Sequence, residues 1–176
     1  AAATLSNLAD ALERLLEVWR ALGKQDVAWR GAAEANALRR LALDLSGTAQ
    51  DRALLGFSLV RAAEVAARVG QVDEGYELCI EALTLLRAVW DADASPHNGW
   101  RLLYALAMAL PYEALRSNPE AALALLAEAD AVQSALPSEA LEHSRDVRGA
   151  LERWRATILE ASGDHEGAAR ALAVVR

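Results

Sequence analysis

The residues best suited to chemistry in this sequence are three histidines and the carboxylates near one of them. His97, His143 and His165 lie far apart along the chain. Glu139, His143 and Asp146 follow one another at spacings of four and three, which would place a metal-binding set on one face of a helix. The same spacing arises readily on a solvated, charged helix, and we favour that interpretation. No metal site and no cofactor are therefore predicted.

Two further candidates for chemistry also fail on their residue types. The stretch DADASPHNG from Asp91 begins like a calcium-binding loop, but Pro96 stands where the loop requires Gly and Leu102 where it requires Glu. Cys79, the single cysteine, lies in an apolar helical stripe, where a buried thiol is more typical than a reactive one. A phosphate-binding Gly-rich loop and a GxSxG nucleophile elbow are both missing from the sequence. We therefore expect a protein that is not an enzyme.

Composition and charge narrow the class of protein. The 176 residues are 54% hydrophobic, Ala and Leu predominate, and Gly and Pro are few, which favours helices. The net charge is −7, with a pI of about 5.0 and no basic block, so a nucleic-acid partner is not expected. Apolar runs stay short of the roughly 18–20 residues that cross a bilayer, and the first residues do not resemble a secretory signal. We expect a cytoplasmic protein. Because the sequence lacks an initiator Met, we also expect either a processed chain or a fragment of a longer one.

An internal repeat organises the chain. Turn residues recur at intervals of 47, 47 and 46, at Gly23, Gly70, Ser117 and Gly163. An acidic residue follows three positions later: Asp26, Asp73, Glu120 and Glu166. A small residue follows five positions after the turn residue: Ala28, Gly75, Ala122 and Ala168. Seven positions further come Ala35, Ala82 and Ala129, then Val175, where the pattern fails. A fixed period in this range is typical of stacked repeat units.

Each unit is predicted to hold two antiparallel helices. The expected spans are 5–22, 25–45, 49–69, 72–91, 97–116, 119–136, 138–162 and 165–175. Gly at three turns favours a left-handed helix end, and the SPHN and NPEA stretches favour new helix starts. Pro111 lies within a helical pattern and predicts a kink or break near residues 107–110. The small residues after each turn would let the two helices of a pair pack closely.

Four of these features together resemble the tetratricopeptide repeat family. The match is a Gly, an acidic residue, a small residue and a later Ala, as in Gly70, Asp73, Gly75 and Ala82. The usual unit of that family is shorter than the 47 residues found here. The resemblance implies an all-α, right-handed α-solenoid of four antiparallel helix pairs, about eight helices in all. It would form a single domain over 1–176, with units near 1–47, 48–94, 95–137 and 138–176, and the first helix of each pair would line the inner face.

The repeat also selects a candidate binding face. Stepping by the repeat length aligns Asp10, Phe57, Tyr104 and Ala150; Arg14, Arg61, Met108 and Trp154; and Glu17, Glu64, Pro111 and Thr157. In the resemblance, Phe57, Glu64 and Arg68 fall on inner-face positions, with Arg61 at the margin. The predicted partner-binding residues are Phe57, Arg61, Glu64, Arg68, Arg101, Tyr104 and Met108. Aromatic rings with charges suit an extended peptide. The alternative is that Arg61 pairs with Glu64 while the rings fill the seam between repeats.

Four functions remain open from the sequence. The first is a non-catalytic scaffold that binds a protein or peptide on its inner face. The second is a structural or self-associating segment, since the short final helix would leave an apolar flank open at the terminal repeat. The third is a sensor or regulatory array of a larger bacterial signalling protein, and the fourth is a helical regulator that binds a short signalling peptide. Among the tryptophans, Trp19 and Trp29 should brace the first helix pair, and Trp90 and Trp100 should be partly exposed.

Overall fold

A computed structural model describes residues 1–174, apart from the side chain of His143, and over this range the chain is all-α. It contains nine helices: α1 Ala2–Ala21, α2 Gln25–Ser46, α3 Ala49–Val69, α4 Val72–Ala92, α5 Pro96–Leu115, α6 Pro119–Ala135, α7 Ser138–His143, α8 Arg145–Ala161 and α9 His165–Ala173. Consecutive helices pack as antiparallel pairs, α1 with α2, α3 with α4, α5 with α6, and α8 with α9. Within residues 1–174, none of the helices combines the length and the hydropathy needed to cross a membrane.

The predicted helices are confirmed, with one division. The expected span 138–162 separates into α7 and α8 at Ser144, whose backbone leaves the helical region at φ −97° and ψ 12°. The Ser144 hydroxyl donates to the Ala140 carbonyl at 3.0 Å, a bond of the kind that Thr84 and Thr157 also make within unbroken helices. Of the predicted kink or break near residues 107–110, the break is wrong, because α5 continues through Pro111 to Leu115, and the kink stays a prediction. Pro111 has no N–H, so one carbonyl of α5, that of Ala107 four residues earlier, lacks its helical donor.

The four predicted turns share one backbone geometry. Gly23, Gly70, Ser117 and Gly163 all have positive φ, at 70°, 79°, 55° and 88°. In each turn the next residue donates its N–H to the carbonyl five positions earlier: Lys24 to Trp19, Gln71 to Ala66, Asn118 to Glu113, and Asp164 to Leu159, at 2.8–3.0 Å. This is the longer hydrogen bond of a Schellman helix end. The recurrence of this bond every 46 or 47 residues shows that the sequence period is a structural period.

Small residues after the turns are buried as predicted. All four are buried, and each donates its backbone N–H to the carbonyl four residues earlier: Ala28, Gly75, Ala122 and Ala168. The later residues Ala35, Ala82 and Ala129 are fully buried, and Val175 lies outside the described residues. Because the equivalent small residues are buried in every helix pair, they lie at the contact between the two helices of the pair.

The chain divides into two compact units, with the boundary between Ala92 and Asp93. The first unit holds α1–α4, and part of its core consists of Leu16, Ala28, Ala32, Ala62 and Val65. The second unit holds α5–α9, where Ala156 of α8 packs with Ala168 and Ala171 of α9. The boundary falls close to the predicted junction of the second and third repeats.

Trp19 and Trp29 brace the first helix pair, as expected. Both pack against the core of the first unit. A Cβ added to Gly31 of α2 would lie 2.3 Å from Cζ3 of Trp19, so the Trp19 ring occupies the space that a larger residue would need. Gly31 is therefore required by close approach of α1 to α2 rather than by its backbone conformation. Trp90 and Trp100 are both half-buried.

Cys79 of α4 should be inert in the native protein. Its side chain is buried, and burial raises the pKa of the thiol to about 12 because the thiolate would be poorly solvated. We expect no reaction with a thiol reagent at pH 8 in native buffer and complete reaction in a denaturant. Stopped-flow labelling with an aromatic disulfide measures both. Fast labelling of the folded chain would contradict the burial of Cys79.

Candidate functional site

The predicted site residues of the first unit lie together on α3. Phe57 is half-buried, Arg61 and Glu64 are mostly covered, and Arg68 is half-exposed. Arg61 donates to the Glu17 carboxylate of α1. Glu64 accepts from Arg20 of α1 and, at 3.2 Å, from Arg68 one turn along α3. The ladder positions predicted from the repeat therefore do meet, but they meet as ion pairs between the first helices of two repeats.

This ion-pair ladder has a clear structural role. Arg20 bridges Glu17 and Glu64, so charges of opposite sign alternate along the contact between α1 and α3. An ion pair with an exposed member, such as Arg61 with Glu17, contributes about 0–1 kcal/mol, whereas Arg20 and Glu64 are both mostly covered. A peptide bound here would have to compete with these internal partners for Arg61 and Glu64. The face predicted from the sequence is thus less available than its residue types indicate.

The remaining predicted residues lie on α5 of the second unit. Arg101 is only 5% exposed, so it does not offer its guanidinium to a partner, and we remove it from the candidate set. Tyr104 and Met108 are half-buried. Tyr104 stacks on Trp100, with ring centroids 5.7 Å apart and an interplanar angle of 27°. The stack gives this part of α5 an apolar, partly exposed surface rather than a charged one.

A buried arginine is the main polar feature that the sequence did not reveal. Arg39 of α2 is 1% exposed, donates from Nε to Glu13 at 3.1 Å, and donates from Nη2 to Asp10. Burial alone would lower the pKa of Arg39, but hydrogen bonds and charge attraction from Glu13 and Asp10 outweigh it and raise the pKa. The sequence indicates the burial of Arg39 only through its helical position, because Arg39 shares the buried stripe of α2 with Ala28, Ala32, Ala35 and Ala42.

A groove lies between α2 and α4 in the first unit. It has a volume of about 560 Å³ and is lined by Trp29, Arg40, Glu74, Glu77, Leu78, Ile80 and Glu81. Trp29 and Leu78 also pack on the core, which holds the floor of the groove in place. Arg40 makes a two-bond pair with Glu81, at 2.9 and 2.6 Å, across the groove.

The acidic side of the groove comes from one face of α4. Glu74, Glu77 and Glu81 follow at spacings of three and four, so they stand in a row along the helix. With Arg40 offsetting one of the three carboxylates, the groove carries two net negative charges around apolar side chains. The spacing of the glutamates predicts a row along α4, but the position of this row beside Trp29 depends on how α2 lies relative to α4.

Glu139, His143 and Asp146, the three residues considered as a metal-binding set in the sequence, are divided between two helices. Asp146 lies on α8, whereas Glu139 and His143 lie on α7, so the three no longer share one helix. Among the described side chains, no group of three or more His, Cys, Asp or Glu residues could hold a metal ion.

Comparisons with known proteins add little to this description. No protein-family model matches the chain. No curated protein matches it either. Among solved structures it is similar to a de novo designed helical repeat protein, DHR64, at 20% sequence identity and a TM-score of 0.38. That alignment covers 97% of this chain and 76% of the designed one. The repeat assignment therefore rests on the helix pairs and turns of the chain itself, and the tetratricopeptide resemblance stays a prediction.

Proposed function

We propose that this chain is a non-catalytic scaffold that binds a segment of a protein partner, and that its binding site in the first unit is the groove between α2 and α4. The observation that carries the proposal is the combination of Trp29, Leu78 and Ile80 with a row of three glutamates. Apolar surface supplies binding energy, and carboxylates at its border select the charge of the ligand. The groove therefore suits an amphipathic segment that carries Lys or Arg beside apolar residues.

Glu77 is the residue best placed to select the partner. Glu81 is already paired with Arg40, whereas the Glu77 carboxylate is exposed and makes no ion pair with any residue from 1 to 174. A Lys or Arg of the ligand could also lie over the Trp29 ring, where a cation is attracted to the aromatic face. The ladder on α1 and α3 is the second choice for such a site, because its charges are occupied by each other.

The test uses a fluorescein-labelled synthetic peptide of alternating Leu and Lys, compared with the same peptide carrying Glu for Lys. We expect fluorescence anisotropy to show binding of the Lys peptide, with Glu77→Lys weakening it at least about tenfold, or about 1.4 kcal/mol. Trp29→Ala should also weaken binding of the Lys peptide, because it removes apolar contact area and the aromatic face that attracts a cation.

The matched control is Glu160→Lys, which makes the same charge change on an exposed residue of α8. It should leave the affinity within about twofold, because Glu160 does not line the groove and salt screens interactions between exposed charges. Equal binding of the two peptides, or equal effects of the Glu77 and Glu160 variants, would rule out the groove as the site.

A further inference from the structure

The groove between α2 and α4 lies between two helices that run in the same direction. Two-residue connections join α2 to α3 and α3 to α4, and α3 packs against both of these helices. Both walls of the groove are therefore antiparallel to α3 and parallel to each other. Trp29 and Leu78, one from each wall, pack on the same core of the first unit, which fixes the two walls relative to one another.

Two of the three glutamates on the α4 wall are available to a ligand. Glu81 is paired with Arg40 at 2.9 and 2.6 Å, whereas Glu74 and Glu77 are exposed. Neither Glu74 nor Glu77 forms an ion pair with another residue of the range 1–174. Ile80, beside them, is 40% exposed. A ligand thus meets two carboxylates beside apolar surface at the start of the α4 wall and a neutral ion pair further along it.

The spacing of these two carboxylates indicates the conformation of the ligand. Glu74 and Glu77 are three residues apart on α4, so they are separated by a rise of about 4.5 Å along the helix axis. A helix lying alongside α4 presents residues i and i+3 on one face with the same rise. An extended strand turns successive side chains to opposite faces and returns to one face only every 6.6 Å or about that distance. The spacing therefore fits a helix better than a strand.

We propose that the ligand of this groove is an α-helix of a partner protein, with an apolar face and two basic residues three or four positions apart. An amphipathic helix that lays its apolar face into a groove is an established mode of peptide recognition. Helices that pack on one another keep their axes about 8–10 Å apart, so a third helix fits along the groove formed by two others. This inference rests on the function proposed above and adds the conformation of the ligand and the spacing of its charges.

The ion pair on the far side of the groove limits the number of basic residues. A third Lys or Arg, seven positions from the first, would lie opposite Glu81 and close to Arg40. Repulsion from Arg40 would there offset the attraction to Glu81. Two basic residues, rather than a longer basic run, therefore match the charges of the groove.

The first experiment compares two fluorescein-labelled peptides of identical composition by fluorescence anisotropy. Both contain Leu, Ala and two Lys: in one, Leu and Lys follow helical spacing, and in the other they alternate with a period of two. The helical peptide should bind at least about tenfold tighter. A central Pro in the helical peptide should remove that gain, because Pro interrupts a helix. The ¹³Cα chemical shifts of the labelled peptide should move to helical values on binding.

The second experiment measures the spacing of the contacts with double-mutant cycles. Glu74→Gln and Glu77→Gln are each combined with Lys→Gln at either Lys of the helical peptide. Each glutamate should couple by at least about threefold to a different Lys, and the two Lys should be three or four positions apart. Any other spacing, or coupling of both glutamates to one Lys, would overturn the helical ligand.

The outcomes separate this inference from the proposed function. If the alternating peptide binds as tightly as the helical one and loses affinity in Glu77→Lys but not in Glu160→Lys, the groove is the site and the helical ligand is wrong. If neither peptide binds, or if both variants act alike, the groove is not the site and both proposals fail.

Discussion

Replacing Arg39 with Met should lower the free energy of unfolding by about 3–5 kcal/mol, the usual cost of removing one partner from a buried ion pair. The Glu13 carboxylate is almost fully covered and would lose the donor at 3.1 Å that offsets its desolvation. Asp10 is half-exposed, so water can replace the bond that it loses. Urea denaturation followed by circular dichroism gives the difference directly.

The expected rescue separates the buried charge from the loss of packing. Arg39→Met/Glu13→Leu removes both charges and should recover most of the stability, because a pair of apolar side chains of similar volume carries no desolvation cost. Arg40→Met is the control: Arg40 and Glu81 are 41% and 42% exposed, and losing that pair should cost at most about 1 kcal/mol. Equal losses for Arg39→Met and Arg40→Met would show that Arg39 is solvated in solution.

Enlarging the small residue after a turn should also destabilise the fold. Gly75→Leu and Ala122→Leu each place a branched side chain where two helices meet, and overpacking of this kind costs about 1–3 kcal/mol. Both positions are buried, and they are equivalent in the second and third repeats. Thermal unfolding monitored by circular dichroism measures the shift in midpoint.

Two neighbouring alanines provide the control for this series. Ala88 of α4 and Ala124 of α6 are exposed, and the same change to Leu there should alter stability by no more than about 0.5 kcal/mol. If Gly75→Leu and Ala122→Leu unfold at the wild-type midpoint, the small residues do not lie at close helix contacts. A loss at Ala88 or Ala124 as large as at the buried pair would mean that helix propensity, rather than packing, governs the series.

The sequence by itself determined the helices and their period. Eight expected spans correspond closely to the helices found, because turn residues, caps and apolar periodicity act over a few neighbouring residues. The positive φ of Ser117 was predictable only through its place in the 47-residue register, since a serine seldom adopts it. The division at Ser144 was not predicted from the sequence, and it is seen only in the backbone angles of Ser144.

Tertiary structure decided which side chains are covered and which are available. Arg61 and Glu64 were chosen as binding residues for their types, yet the approach of α1 to α3 gives them internal partners. Arg101 was predicted to contact a partner and is buried, and Arg39, for which the sequence gave no prediction, is buried as well. Conversely, Leu8 and Leu15 are exposed, although Leu55 and Ala62, their equivalents on α3 one repeat later, are buried. Helical periodicity defines the apolar face of a helix, but only the packing of residues distant in sequence determines whether another helix covers that face.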